Sequence, residues 1–513
     1  MDPLSTSRKK NRKSPGGKRS AGIAKPASAS LPASPAEESS VASAGTAFTI
    51  VGIGASAGGL EAIEQFLGGL PDNSGMAFVI VQHLDPTRRG IMPELLQRGT
   101  RMKVTQVKDR MKVLPNCVYV IPPNRDMSIL HGILYLFEPA SSRGLRLPID
   151  FFFRSLAKDQ GERSAAVILS GMGSDGTLGI KAIKESSGVV LVQDPASAKF
   201  DSMPRHGVET GLADVIAPAA ALGQKLAAVC RRVSRVPASD ADLDLKHQTA
   251  LEKIAILLRA QTGHDFSFYK KSTLYRRIER RMAVHQIDKI ALYVRFLQDN
   301  LQERELLFNE LLIGVTSFFR DPFVWAALKT EALAELLANY PDGGQLRAWT
   351  PGCSTGEEAF SLAITFKEAL AAQKPGLNCS LQIFATDLDR AAVEKARQGI
   401  YPANITADVS PERLRRFFVK EDSGRYRVRK EIRDMVTFAP QNLIMDAPFT
   451  RLDILVCRNL LIYLGPELQK KLLPLFHYSL KPGGILLLGS AESVGTLTEH
   501  FAIIDHKARL FRR

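Results

Sequence analysis

The sequence is short of cysteine, with five among 513 residues (117, 230, 353, 379 and 457) and no CxxC pair. That pattern argues against both a disulfide framework and a zinc site, and it suits a reducing cytoplasm. Long apolar runs are missing too. None approaches the ~18 residues of a membrane span, and the N-terminus lacks the apolar segment of a secretion signal, so a cytoplasmic location without membrane segments is expected. No internal repeat is found. Acidic charge is the scarcer sign, 53 Asp and Glu against 68 Lys and Arg, a net charge of +15. The excess favours an acidic partner, which can be nucleic acid, an anionic membrane surface or an acidic protein. The basic stretches lack interleaved aromatic residues, which argues against a specific nucleic-acid reader.

What is present is globular: 45% hydrophobic and 24% charged residues, over a length suited to two to four domains. Residues 1–46 hold almost no large apolar side chain and predict a disordered basic tail, whose RKKNRK cluster (8–13) has no necessary role. Residues 47–235 alternate short apolar strands with helical patterns. Examples are FTIVGIGAS (48–56), AFVIVQHLD (77–85), AAVILSG (165–171) and GVVLVQDP (188–195). That alternation predicts a doubly wound α/β sheet. A polar linker is expected at 236–247 and an all-helical subdomain at 248–338. A second doubly wound α/β domain is expected at 339–513, interrupted near 402–438 by a small charged insert.

Each α/β region carries a loop with chemical content. In the first, Ser56, His83 and Asp175 follow three different strands and can meet at one end of the sheet. A serine activated by a histidine, itself oriented by a carboxylate, is an acyl-transfer arrangement. Taken singly the residues have plainer roles: a helix cap for Ser56, a cap or core position for His83, an Asx turn for Asp175. In the second region, PGCSTGEEAFSLAI (351–364) follows the strand LRAWT and opens a helix. Such a loop brings backbone N–H groups and a helix N-terminus to a ligand. The next strand ends in Asp387, where a carboxylate suits two ribose hydroxyls.

Longer motifs carry two resemblances. GASAGG, VQHL, IPPN, LSGMGSDG and QDPASAKF, over roughly 48–232, resemble the catalytic domain of the chemotaxis protein-glutamate methylesterases, the CheB family. The resemblance implies Ser56 as nucleophile, His83 as general base, Asp175 as its orienting acid, and an oxyanion-hole amide at Met172. Ala57 departs from the threonine of well-known members. Residues 1–46 are too short for the receiver domain that precedes the esterase in those members, so no phospho-aspartate control is expected within this chain.

WTPGCSTGEEAFSLA, ATDLD and CRNLLIY, from about Leu251 onward, resemble the CheR family of chemotaxis-receptor methyltransferases, which use S-adenosylmethionine and no metal. Thr316, Arg320, Glu357, Asp387, Asn442, Leu443, Asn459 and Leu460 are implied to line the cofactor pocket. Tyr463 stands near in sequence, and Gly314 replaces an asparagine of well-studied members. Arg277, Arg280 and Arg281 lie on a helix implied to meet an acidic receptor segment, with a solvated basic face as the alternative. The expectation is an enzyme that adds and removes methyl esters on glutamates of a chemoreceptor or other signalling protein. The alternatives are a regulatory scaffold and a nucleic-acid methyltransferase.

Overall fold

The computed structural model describes residues 48–71, 73–83, 91–139, 146–233, 240, 243–312, 314–372, 378–495 and 497–513. The expected tail (1–46) and half of the expected linker (236–247) lie outside them. Among the described residues no helix is long and apolar enough to cross a membrane.

The first sheet has seven parallel strands: β1 (Ile50–Ala55), β2 (Ala77–Gln82), β3 (Lys103–Gln106), β4 (Cys117–Val120), β5 (Ser164–Ile168), β6 (Val189–Gln193) and β7 (Val215–Ala217). Their order is β7-β6-β5-β1-β2-β4-β3, and every pairing is parallel. Apart from the edge strand β3, these strands read as near-continuous apolar runs because both faces are covered. In β2, Phe78 and Ile80 face one core while Ala77, Val79 and Val81 face the other. The order reverses at β1, so the ends of β5, β1 and β2 border the crevice where open α/β sheets bind ligands. Three helices matter there: α1 (Gly59–Gly68), α2 (Pro148–Gln160) and α3 (Thr177–Glu185).

A helical region follows, including α4 (Leu245–Thr262), α5 (Lys271–Val284), α6 (Ile290–Asp299) and α7 (Leu301–Leu311), with its own buried cluster around Leu258, Phe266, Tyr293 and Leu307.

The second sheet contains β8 (Gln345–Pro351), β9 (Ser380–Asp387), β10 (Val436–Pro440), β11 (Leu452–Cys457), β12 (Leu480–Leu488), β13 (Ala502–Asp505) and β14 (Leu510–Arg512). The order is β10-β9-β8-β11-β12-β14-β13, parallel except at the β12-β14-β13 edge. Helix α8 (Glu357–Ala372) leaves the loop after β8 and is buried along most of its length. The charged insert forms a small antiparallel sheet of Ile400–Tyr401, Phe418–Lys420 and Tyr426–Val428. The architecture is thus two α/β sheets with a helical region between them.

Candidate active sites and their relatives

Ser56 follows β1, His83 follows β2, and Asp175 lies in the loop between β5 and α3. The sheet places all three together. The Ser56 hydroxyl lies 3.4 Å from His83 Nδ1, and His83 Nε2 lies 2.9 Å from Asp175 Oδ2. A tautomer donating from Nε2 to the carboxylate leaves the Nδ1 lone pair facing the serine. Asp175 is 3% exposed and is held by two further donors, Ile149 N at 3.0 Å and Asp150 N at 2.9 Å. Both amides belong to the first turn of α2, so the carboxylate caps that helix at its positive end. Next to it, burial and then the charge of Asp175 push the Asp150 carboxyl well above the usual range.

The amide of Ser56 is occupied by Ser170 O at 3.0 Å, and Gly59 N donates to Ser56 O. The amides of Ala57 and Met172 make no hydrogen bond among the described residues. Gly171 permits the close approach of the two loops, since a Cβ there would lie 3.0 Å from the Ser56 Cβ.

At the carboxyl ends of β8, β9 and β11 a pocket opens in the second sheet. Six of the eight expected cofactor residues line it: Thr316, Arg320, Asp387, Leu443, Asn459 and Leu460. Tyr463 and Gly314 do too. Gly352 (φ 72°) lets the loop after β8 turn back within van der Waals reach of Leu460. Asp387 accepts from Ser354 N at 2.7 Å and from Asp389 N at 2.9 Å, and burial raises its pKa. The carboxylate therefore shapes the glycine loop as well as facing the pocket.

Glu357 and Asn442 do not line this pocket. Successive helical residues point about 100° apart, so only one of the paired glutamates can face it. That residue is Glu358. Glu357 instead accepts from the Thr355 hydroxyl at 2.6 Å and reaches Lys181 of α3 at 3.5 Å. The Asn442 side-chain Oδ1 accepts from Ile444 N at 3.1 Å, closing a local turn.

Several residues that sequence reasoning passed over build this site. Arg458, with a fully buried side chain, bridges Asp321 at 2.7 Å and Glu358 at 3.3 Å. Burial lifts the Glu358 carboxyl to about 7 against the pull of Arg458 and Arg320. Glu492 receives the amides of Gly489, Asn459 and Leu461 at 2.6–3.0 Å and fixes the Asn459-Leu460 turn. His264, brought down to about 4 by burial, also lines the pocket. Arg458 and Glu358 stood inside recognisable motifs, whereas Glu492 and His264 had no local signal.

The arginine helix is the clearest correction. Arg277 and Arg280, expected to face an acidic partner, are 5% and 1% exposed. Arg280 bonds Ser187 O of the first α/β region, and Arg277 bonds Glu310 O. Around them Lys184 of α3 contacts Asp214 at 2.6 Å and Glu310 at 3.0 Å. Burial opposes the Glu310 charge, but Lys184, Arg277 and Arg280 together hold its carboxyl down to about 2. Arg281 is taken by Glu303 through two bonds of 2.9 and 2.5 Å. A basic run on one flank binds the regions of this chain to each other because acidic groups from other elements fold against it. The same contact surface includes Arg320–Glu185 at 3.3 Å and Arg154–Asp408 at 2.7 Å.

A serine, a histidine and a carboxylate thus meet at the edge of one α/β sheet and a loop-lined pocket opens on another, and the family matches assign these folds to a hydrolase and an S-adenosylmethionine-binding methyltransferase. Residues 51–226 match the family model for CheB methylesterase. Residues 249–312 match the all-alpha domain of CheR methyltransferase, and residues 314–510 its SAM-binding domain. The chain is 38% identical over 207 residues to the chemotaxis protein methyltransferase of Vibrio parahaemolyticus, covering 40% of this chain and 74% of that one. It is 39% identical over 443 residues to an uncharacterized 104.1 kDa protein of Rhodobacter capsulatus, covering 82% of this chain but 46% of that protein. The chain thus spans about half of that relative's length. The crystal structure of the Thermotoga maritima CheB methylesterase catalytic domain shares 29% identity, covering 36% of this chain and 98% of that one, with a TM-score of 0.34. The chain belongs to the chemotaxis protein methyltransferase (CheR) family, with a CheB methylesterase domain preceding the two CheR domains.

Proposed function

We propose that this chain both forms and hydrolyses methyl esters on glutamate side chains of a chemoreceptor or similar cytoplasmic signalling protein. The observation that carries the reading is the Ser56–His83–Asp175 relay in the same chain as a polar methyltransferase pocket. In hydrolysis, Ser56 Oγ attacks the ester carbonyl while His83 takes its proton at Nδ1. Asp175 keeps Nε2–H in place and stabilises the imidazolium. The free amides of Ala57 and Met172 are the candidate donors to the oxyanion. Collapse of the intermediate expels methoxide, which leaves as methanol with the proton from His83. Water, activated by the same histidine, then releases the glutamate carboxylate and regenerates Ser56.

The pocket of the second sheet fits S-adenosylmethionine. Its wall contains buried polar atoms with no partner among the described residues, namely His264 Nδ1, Ser354 Oγ, Gln441 Oε1 and Asn459 Oδ1. A ligand rich in hydroxyl, amino and ring nitrogen groups meets that need, as buried polar atoms otherwise carry a desolvation cost. When bound, the cofactor supplies an electrophilic sulfonium methyl. Asp387 suits the ribose hydroxyls, and Arg320, at the wall beside Tyr463, suits the acceptor carboxylate. With a pKa of ~4.3 that carboxylate is already an anion, so no general base is required. The chain's task is orientation and exclusion of water.

The test is separability. Ser56→Ala abolishes methanol release from a methylated substrate, a loss of about 10⁴-fold or more, while methyl transfer from labelled cofactor persists. Arg320→Ala lowers transfer and leaves the esterase intact. Methanol release near the wild-type rate in Ser56→Ala removes the serine assignment.

A further inference from the structure

We propose that the transferase's small β-sheet forms the second wall of the esterase cleft and selects substrates with acidic residues flanking the methyl ester. The inference rests on the esterase reading above and extends it to substrate choice. The cleft beside the relay is lined on one side by Gln82, His83, Met172 and Asp175, and on the other by Asn404, Lys420 and Tyr426. The second set comes from a part of the chain more than two hundred residues away, the insert in the methyltransferase domain.

Its position is anchored close to the chemistry. Asn404, 2% exposed, bonds the Thr177 hydroxyl, two residues after Asp175. Asp408 pairs with Arg154 of α2, the helix whose first turn holds the Asp175 carboxylate. Both anchors grip elements that position the relay, so the wall is set in register with it.

Lys420 and Tyr426 are directly paired across neighbouring antiparallel strands. Cross-strand partners project from the same face, and here both reach the cleft. Arg125 and Arg146 line it as well, but Arg146 is engaged by Asp126 at 3.0 Å and Arg125 by Glu138. Lys420 has no ion-pair partner among the described residues. An exposed ammonium facing a catalytic cleft, beside a phenol able to hydrogen-bond a carboxylate, favours an anionic stretch of polypeptide. A helix of a signalling protein with several glutamates, some methylated and some free, has that chemistry.

The experiment compares two synthetic helical peptides carrying one glutamate γ-methyl ester, with either glutamates or glutamines at the flanking exposed positions. Methanol release by the full chain is followed for both, and p-nitrophenyl acetate reports on the relay alone. Wild type is expected to prefer the acidic peptide by about two- to fivefold in kcat/KM, with the preference falling as salt rises. Lys420→Glu is expected to lose or reverse the preference, Lys420→Arg to restore it, and both to hydrolyse p-nitrophenyl acetate as wild type does. Equal turnover of the two peptides by wild type, or an undiminished preference in Lys420→Glu, overturns the proposal. Small-ester hydrolysis that survives Ser56→Ala would instead overturn the esterase reading beneath it.

Discussion

Asp175→Asn isolates what the buried carboxylate does, because the structure dictates how asparagine must sit. Oδ2 of Asp175 serves two donors, His83 Nε2 and Ile149 N, whereas Oδ1 serves only Asp150 N. An amide placed with its nitrogen at the Oδ2 position would oppose two donors. The nitrogen therefore takes the Oδ1 position and opposes one. The Asp150 amide then loses its acceptor inside the protein, at about 1–3 kcal/mol. For a domain of this size that lowers Tm by about 2–4 °C per kcal/mol. The carbonyl oxygen still holds the His83 tautomer, but the negative charge that stabilises the imidazolium is gone. Asp150 does not replace it, since its Oδ1 is bonded to Gly179 N and burial disfavours its charged form. Loss of the triad acid typically costs about 10⁴ in kcat. Methanol-release kinetics on methylated protein, with a thermal melt in parallel, measure both effects. The expected pattern is a fall in kcat of about three to four orders of magnitude at nearly unchanged KM. Activity within tenfold of wild type in a folded variant would refute the role given to Asp175.

Asp387→Asn weakens S-adenosylmethionine binding by about 1.5–3 kcal/mol, roughly tenfold or more, and loosens the loop whose Ser354 amide it holds; unchanged affinity by calorimetry takes Asp387 out of the site. The Glu310 carboxyl, at about 2 when folded against 4.5 ordinarily, contributes stability above pH 4.5 that is lost as pH falls through about 2. Glu310→Gln should therefore lower stability in urea unfolding at pH 6, and the gap to wild type should close towards pH 2; a gap independent of pH contradicts the ion cluster. Glu185 of α3 pairs with Arg320 while both are about one-quarter exposed. Glu185→Gln frees the guanidinium and should lower KM for the protein acceptor by about two- to fivefold, the effect of a partly exposed pair, with esterase turnover unchanged; an unaltered KM shows that the pair does not compete with the acceptor.

Much of this was legible because it is local. The strand-to-helix turns at Ser56 and Gly352, the loop carrying Asp175 and the acid ending β9 are short-range patterns, and a parallel sheet sends all such loops to one edge. The choice between Glu357 and Glu358 was not legible. It depends on the helix's rotation about its axis, which packing against β9, β10 and the helical turn at 328–333 decides. The arginine helix failed for a related reason. Four arginines on one flank (Arg276 with Arg277, Arg280 and Arg281) read equally as a solvated or partner-facing surface, and only the folded chain shows Glu162, Asp214, Glu303 and Glu310 arriving from distant segments to bury them.

By itself, the sequence determined two α/β sheets, a helical region and two families, because turn chemistry and apolar periodicity act over a few residues. Tertiary structure alone decided which titratable groups are buried together. Glu358 rests against Arg458 a hundred residues away, and Glu492 fixes the turn at Asn459. It also decided that a wall of the esterase cleft comes from the methyltransferase insert. Charge and shape complementarity across long chain separations depend on the relative placement of whole sheets, which no window of neighbouring residues encodes.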